Sequence, residues 1–179
     1  LNRLVDDLLT LSSIELGESA LHSESVALGE ILDKAQALIL AKAAVKGVVL
    51  KTDLPPDLPA ILADRDRAVQ VLLNILDNAV KFSPEGGKID VKAAEENEFV
   101  AVRVTDQGPG IPAGEIPRLG ERFYRVDKTR SRELGGTGLG LSIVKHLMQA
   151  HGGAMEIESA PGRGATVILR FPAFQPAAE

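Results

Sequence analysis

Apolar residues recur at three- and four-residue steps from the first position: Leu1, Leu4, Val5, Leu8 and Leu11, with Asn2, Arg3, Asp6 and Asp7 between them. That period gathers the apolar side chains on one side of a helix and the polar ones on the other. Gly17 is expected to end the helix, and the polar run "GESALHSES" to act as a linker. Such a stripe has to pack on something. It either covers the core of its own domain or belongs to a longer protein, and the pattern leaves both open.

The helical period returns in "LGEILDKAQALILAKAAVKG", closed by Gly47, and gives way to a strand in "VVLKTDL". "PPDLP" predicts a turn. Asp64 stands where an N-cap belongs, ahead of the helix "RDRAVQVLLNILDNAVKFS", which Pro84 stops. "EGG" turns the chain into "KIDVKAAEE", and "EN" turns it again into "FVAVRVTD", so these two runs predict a hairpin. A loop without periodicity follows over roughly residues 110 to 136. "TGLGLSIVKHLMQAHGG" predicts a helix ending at a glycine pair, and "AMEIESA" and "GATVILRF" predict two strands around the turn "PGRG". Hairpin-paired strands with helices gathered on one face make the expected class α/β (α+β), a two-layer sandwich.

Composition narrows the possibilities. With 179 residues, 45% hydrophobic and 25% charged, the chain suits one globular domain with an appendage and can bury a substantial core. A net charge of −5 argues against nucleic acid as the main partner, since phosphate backbones want a basic footprint. The lack of cysteine excludes disulfides, thiolate metal sites and a cysteine nucleophile. No apolar run is long enough to span a membrane, and "LNRLVDDLLT" is no signal peptide. His22, His146 and His151 are too scattered to suggest a zinc site.

Candidate chemistry sits on the helix after Asp64. Val69, Leu72, Leu73, Leu76 and Val80 form its expected buried stripe, while Asn74, Asn78 and Lys81 share a neighbouring face. Asparagine is a poor helix former, so two in mid-helix cost stability unless their amides bind something. An amide oxygen is a hard ligand suited to Mg²⁺, and a lysine one turn on is placed to meet phosphates. A solvated polar face is the other reading of the same three residues.

Two glycine clusters bear on that choice. "GGTGLGLS" opens a helix, so its N–H groups and dipole can hold a polyphosphate, with Gly136, Gly138 and Gly140 allowing close approach. Neither a Walker nor a Rossmann pattern fits it. In "DQGPGIP", Asp106 ends a strand with a carboxylate that accepts two hydrogen bonds and donates none. That suits an adenine amino group, with Gly108 and Gly110 leaving room for a flat ring.

Taken in order, "NILDNAVKFSP", "DQGPGIP", "RFYRVD" and "GGTGLGLSIVKHLMQAHGG" resemble the N, G1, F and G2 boxes of sensor histidine kinases. The resemblance covers about residues 24 to 172 and implies the Bergerat ATP-binding fold, a mixed, mostly antiparallel sheet with helices on one face. It implies domains at 1–20, the end of the second dimerisation helix and the start of a linker, and at 21–179, the catalytic ATP-binding domain, with a lid at about 111–135.

Residue by residue, the resemblance makes Asn78 the principal Mg²⁺ ligand, supported by Asn74, with Lys81 on phosphate. Asp106 binds the adenine amino group, with Gly108 and Gly110 shaping the pocket. Phe123 and Tyr124 anchor the lid and Arg125 reaches the γ-phosphate. Gly136, Thr137, Gly138 and Gly140 line the phosphates, Leu139 and Leu141 pack the returning helix, and Thr166 reaches the base through water. Arg118, Arg122, Arg125, Lys128, Arg130 and Arg132 would balance nucleotide charge from the lid.

The implied activity is transfer of the γ-phosphate of Mg-ATP to a histidine of the dimerisation domain, for relay to a response-regulator aspartate. The implied parent is a homodimeric kinase in the cytoplasm, its anchorage in the inner membrane left open, and this chain is possible as a monomer. Nothing here resembles an H box, so the acceptor histidine is expected elsewhere in the parent. Three alternatives stand beside this reading: a hydrolytic ATPase clamp of the same superfamily, a protein serine kinase, and a non-catalytic nucleotide-binding module. Clamps carry a glutamate one turn before the metal-binding asparagine, where this chain has Asn74.

Overall fold

The alternating runs pair as their period demands. In the computed structural model, which describes residues 2–16, 20–126 and 136–176, β4 (Lys88–Glu96) and β5 (Phe99–Thr105) form an antiparallel hairpin. Asn97 makes the turn at φ +56°, a conformation asparagine tolerates better than most residues. β2 (Val49–Asp53) adds in parallel to β4, and β7 (Ala165–Pro172) and β6 (Ala154–Ser159) add antiparallel beyond β5. The order is β2-β4-β5-β7-β6, a mixed and mostly antiparallel sheet.

One face of the sheet, with Ile89, Val91, Val100, Val102, Val104, Leu169 and Phe171, carries the core. The helices α2 (Leu28–Val45), α3 (Arg65–Phe82) and α4 (Gly140–Ala150) complete that core with Ile31, Leu72, Ile75, Ile143 and Leu147. On the other face Glu96 accepts from Arg103 at 2.5 Å and Arg170 at 3.1 Å, and Arg170 also reaches Glu156 at 2.8 Å. This is the two-layer sandwich expected.

Three features differ from the pattern reading. A two-stranded sheet pairs β1 (Ser23–Val26), inside the expected linker, with β3 (Ile61–Asp64). β1 is polar at three of its four positions, Ser23, Glu24 and Ser25, so it carries no apolar alternation. On α3 the expected stripe holds at Leu72, Leu76 and Val80, but Val69 and Leu73 are only partly buried while Val71 and Ile75 lie fully inside. The helix meets both the sheet and α2, so its buried arc is wider than one stripe. Finally, α4 starts at Gly140 and not at Thr137, leaving Gly136 and Gly138 in the loop before it.

α1 (Asn2–Glu15) packs along α4. Its buried line runs through Leu4, Leu11 and Ile14, whereas Val5 is 49% and Leu8 41% exposed. The helix is thus apolar on two sides, and the single stripe expected from Leu1 to Leu11 splits between them. The expected stop at Gly17 lies outside the described residues. No described helix is long and apolar enough to cross a membrane.

Candidate functional site

α3 begins with a strong local signal. Asp64 caps it, its carboxylate accepting from the Arg67 N–H at 3.1 Å and, from the residue just before β1, the His22 N–H at 3.0 Å. Burial works against ionisation here, but those two bonds outweigh it and the carboxyl sits below the ordinary range. With its start fixed, α3 turns Asn74, Asn78 and Lys81 toward a cavity of about 360 Å³ between α3, α4, the β5 end and the following loop. No hydrogen bond engages the Asn78 amide among the described residues, and Asn74 Nδ2 is buried without a partner.

Lys81 reaches the cavity by a route the sequence did not suggest. Its side chain is only 8% exposed, and its ammonium lies 2.9 Å from Asp77 Oδ2 one turn earlier. Asp77 is itself buried and also accepts from Lys42 of α2. Burial opposes its charge, yet hydrogen bonds from Lys42 and Lys81 prevail and hold the carboxyl down to about 2.

Asp106 follows directly on β5 and lines the same cavity. Its Oδ1 takes the Gly108 N–H at 2.7 Å and the Ala165 N–H at 3.3 Å, leaving Oδ2 as the oxygen able to accept from a ligand. Burial dominates this carboxyl and pushes its pKa up, the two backbone bonds offsetting part of the effect. The glycines that follow serve the backbone more than the cavity. A Cβ on Gly110, at φ +75°, would stand 1.9 Å from the Ala160 carbonyl oxygen. One on Gly108 would press on Asp106 Oδ1 at 2.8 Å and on the Phe82 carbonyl oxygen at 3.0 Å, and Gly108 does not line the cavity.

The glycine loop closes a third side. Gly136, Thr137, Gly138, Gly140 and Leu141 line the cavity, and Leu139 is fully buried behind them. Thr137 Oγ1 accepts from the Leu139 N–H at 3.3 Å, bracing the loop ahead of α4, and donates to Asp7 Oδ2 of α1 at 2.9 Å. From the segment after β5, Arg125 donates to the Gly136 carbonyl and the Phe123 N–H to the Gly138 carbonyl at 3.0 Å. Phe123 therefore ties the two segments through its main chain, its ring being 57% exposed. Tyr124 lines the cavity with its hydroxyl bonded to Glu115 and its ring 4.1 Å beneath the Arg118 guanidinium. Lys128, Arg130 and Arg132 lie outside the described residues.

Of the expected residues, then, Asn74, Asn78, Lys81, Asp106, Gly110, Tyr124, Arg125, Gly136, Thr137, Gly138, Gly140 and Leu141 meet at one cavity. Gly108, Phe123 and Leu139 support it from outside. Thr166 is a correction: Ala165 and Val167 line the cavity, and strand alternation turns Thr166 to the other face, where its hydroxyl lies 2.9 Å from that of Thr105. The apolar wall of Ile75, Ala79, Val104, Ile111, Ile157 and Val167 was not anticipated, because no local signal separates a cavity wall from a core.

None of the three histidines lines the cavity. His151 bridges elements, Nε2 accepting from the Asp64 N–H at 3.1 Å while Nδ1 lies 2.6 Å from the Leu147 carbonyl oxygen. His146 Nδ1 is 2.7 Å from the Ser142 carbonyl oxygen.

The cavity thus combines an apolar wall with a buried carboxylate acceptor, an ammonium, two amides and the loop that leads into a helix N-terminus. That arrangement suits a ligand with a flat, donor-bearing body and an anionic tail. The amide oxygens of Asn74 and Asn78, hard and neutral, would fit a hard cation such as Mg²⁺.

Residues 63–175 match the family model described as histidine kinase-, DNA gyrase B-, and HSP90-like ATPase. The sensor histidine kinase WalK of Bacillus subtilis is 38% identical over 175 residues, which are 95% of this chain and 28% of that protein. The signal transduction histidine-protein kinase BaeS of Escherichia coli is 32% identical over 96% of this chain and 37% of its own length. The chain thus spans well under two thirds of either relative. Full-length ShkA in complex with AMPPNP superimposes with a TM-score of 0.85 at 33% identity, over 98% of this chain and 36% of that one. The mycobacterial sensor histidine kinase MprB gives a TM-score of 0.74 at 29% identity, over 84% and 97%.

Proposed function

Since the chain belongs to the histidine kinase-, DNA gyrase B-, and HSP90-like ATPase family, we propose that its cavity binds Mg-ATP for transfer of the γ-phosphoryl group to a histidine of a dimerisation domain. The observation that carries this reading is one cavity lined by Asp106, whose Oδ1 is taken by main-chain N–H groups, together with Asn78, Lys81 and the glycine loop. Asp106 accepts from the adenine amino group, the apolar wall sandwiches the ring, and Lys81 and the start of α4 hold the phosphates. Asn78, supported by Asn74, would hold a Mg²⁺, which would supply charge neutralisation for the phosphates.

In the transfer itself an imidazole nitrogen of the acceptor forms a bond to the γ-phosphorus. The bond from that phosphorus to the β–γ bridging oxygen breaks, ADP leaves, and the proton shed by the ring passes to water. Positioning supplies most of the catalysis, and Arg125 is the lid cation placed to follow the γ-phosphate. Residues 1–20 are then the end of a dimerisation helix and the start of a linker, residues 21–179 the catalytic domain and residues of about 111–135 its lid. A response-regulator aspartate is the final acceptor in a homodimeric parent, and dependence on ATP puts this part of it in the cytoplasm. Asn74 stands one turn before Asn78, where a hydrolytic clamp would need a water-activating carboxylate, and this favours transfer over hydrolysis.

Calorimetric titration tests the reading. A non-hydrolysable ATP analogue should bind with an affinity that rises with Mg²⁺, and the matching GTP analogue at least tenfold more weakly, the scale of one charged hydrogen bond. Equal binding of the two, or none, would refute it.

A further inference from the structure

We propose that Asp77 is a positioning residue that holds the Lys81 ammonium at the cavity wall for contact with nucleotide phosphates. This rests on the reading of the cavity as an ATP site.

An ammonium as deeply buried as that of Lys81 is costly without a counter-charge: it would shed its proton or swing its flexible stem toward water. Asp77 supplies that charge from one helical turn away, its Oδ2 at 2.9 Å. Asp77 does not itself line the cavity, and of the two lysines it binds only Lys81 does. An ammonium has three donors, and holding one on Asp77 is compatible with a phosphate contact by another.

The pair is fixed from behind by α2. Lys42 donates to the other oxygen of Asp77. Lys46, one turn on, donates to the carbonyls of Val80 at 3.0 Å and Lys81 at 2.6 Å, two of those that the end of a helix leaves without an intrahelical partner. α2 therefore steadies both the carboxylate and the main chain that carries Lys81. Lys42 and Lys81 both reach the one carboxylate of Asp77, and Lys81 alone of the two also lines the cavity.

A packing role and a positioning role make different predictions for ligands with and without phosphate. Titrating wild type, Asp77→Asn, Lys81→Met and the double variant with the non-hydrolysable ATP analogue and with adenosine separates them. Asp77→Asn should lose about tenfold for the analogue, the scale of one displaced charged hydrogen bond, and little for adenosine. The double variant should bind the analogue no more weakly than Lys81→Met alone, because the effect passes through one ammonium. Equal losses for both ligands, additive losses in the double variant, or wild-type affinity in Asp77→Asn would each overturn the assignment while the nucleotide reading stands. Failure of wild type to bind either ligand would instead remove both. Should Asp77→Asn not fold, the Asp77 carboxyl carbon resonance of the wild-type protein carries the test. It should shift in Lys81→Met and on adding the analogue but not adenosine, and indifference to both changes overturns the proposal.

Discussion

The carbonyl oxygen of Asp106 lies 2.0 Å from the point that a Cβ on Gly164 would occupy, and Gly164 itself sits at φ +70°. The turn between β6 and β7 therefore passes directly against the residue proposed to read the base. Next in the chain, the Ala165 N–H donates to Asp106 Oδ1 and its carbonyl accepts from the Asp106 N–H at 2.9 Å. Gly164→Ala should displace Asp106 and weaken ADP binding by about tenfold or more, besides lowering Tm. Gly162→Ala is the matched control, with φ +75° but nothing within 4 Å of its Cβ. It should cost about 1–2 kcal/mol through backbone strain alone and keep ADP affinity. Thermal melts with calorimetry on both variants check the pair, and ADP binding by Gly164→Ala at wild-type strength would show that the contact does not set the site.

The state of Asp106 predicts a pH dependence. Burial raises its pKa, so in the free protein it takes up a proton at a higher pH than an ordinary aspartate. Nucleotide binding uses the ionised form, which accepts from adenine. Affinity for ADP should be complete above the raised pKa and fall as pH drops through it, starting before ordinary carboxylates titrate. Asp106→Asn should flatten that acid limb and cost about tenfold at neutral pH, since a donor can now face the amino group. Calorimetry over a pH series reads both effects, and an unchanged acid limb in the variant would assign it to another group.

The legible parts of this chain are those with local causes. Asp64 announces α3 because capping is decided within three residues, and Asp106 with its glycines marks the end of β5 because a turn must follow a strand. What escaped depends on partners distant in sequence. Lys42 meets Asp77 across 35 positions, so nothing near Lys81 revealed how its charge is kept. Gly110 looked like space for a ring and is required by the Ala160 carbonyl, which lies in a different turn. Thr166 was misplaced by one strand residue, and with a period of two that shift moves a side chain to the other face of the sheet.

Asn78 faces the cavity from mid-helix without a hydrogen bond to protein among the described residues, so it can be altered at little cost to the fold. Asn78→Ala should leave Tm within a few degrees of wild type yet abolish the gain in ATP-analogue affinity that Mg²⁺ provides. Asn78→Asp tests geometry against charge: an added carboxylate near the phosphates should weaken the metal-free complex as well. Titrations with and without Mg²⁺ decide the matter, and a Mg²⁺ effect preserved in Asn78→Ala would move the metal elsewhere.

Transfer can be separated from binding because the proposed acceptor is not one of this chain's own histidines. His146 and His151 are committed to the carbonyls of Ser142 and Leu147, and no histidine lines the cavity. With γ-labelled ATP and Mg²⁺ the chain alone should take up little acid-labile phosphate and hydrolyse ATP slowly. Mixed with a matching dimerisation domain, it should label that domain's histidine, at a low rate because a covalent linker normally supplies the effective concentration. Arg125 donates to the Gly136 carbonyl through Nη2, one of its nitrogens, and so sits beside the glycine loop proposed to hold the phosphates. Arg125→Ala should therefore lower the transfer rate by about tenfold or more while changing ATP affinity much less, because its contact strengthens as the phosphoryl group moves. Single-turnover labelling against analogue titration measures the two separately. Equal losses in both would make Arg125 a binding residue only, and labelling of His22, His146 or His151 in the isolated chain would overturn transfer to a separate domain.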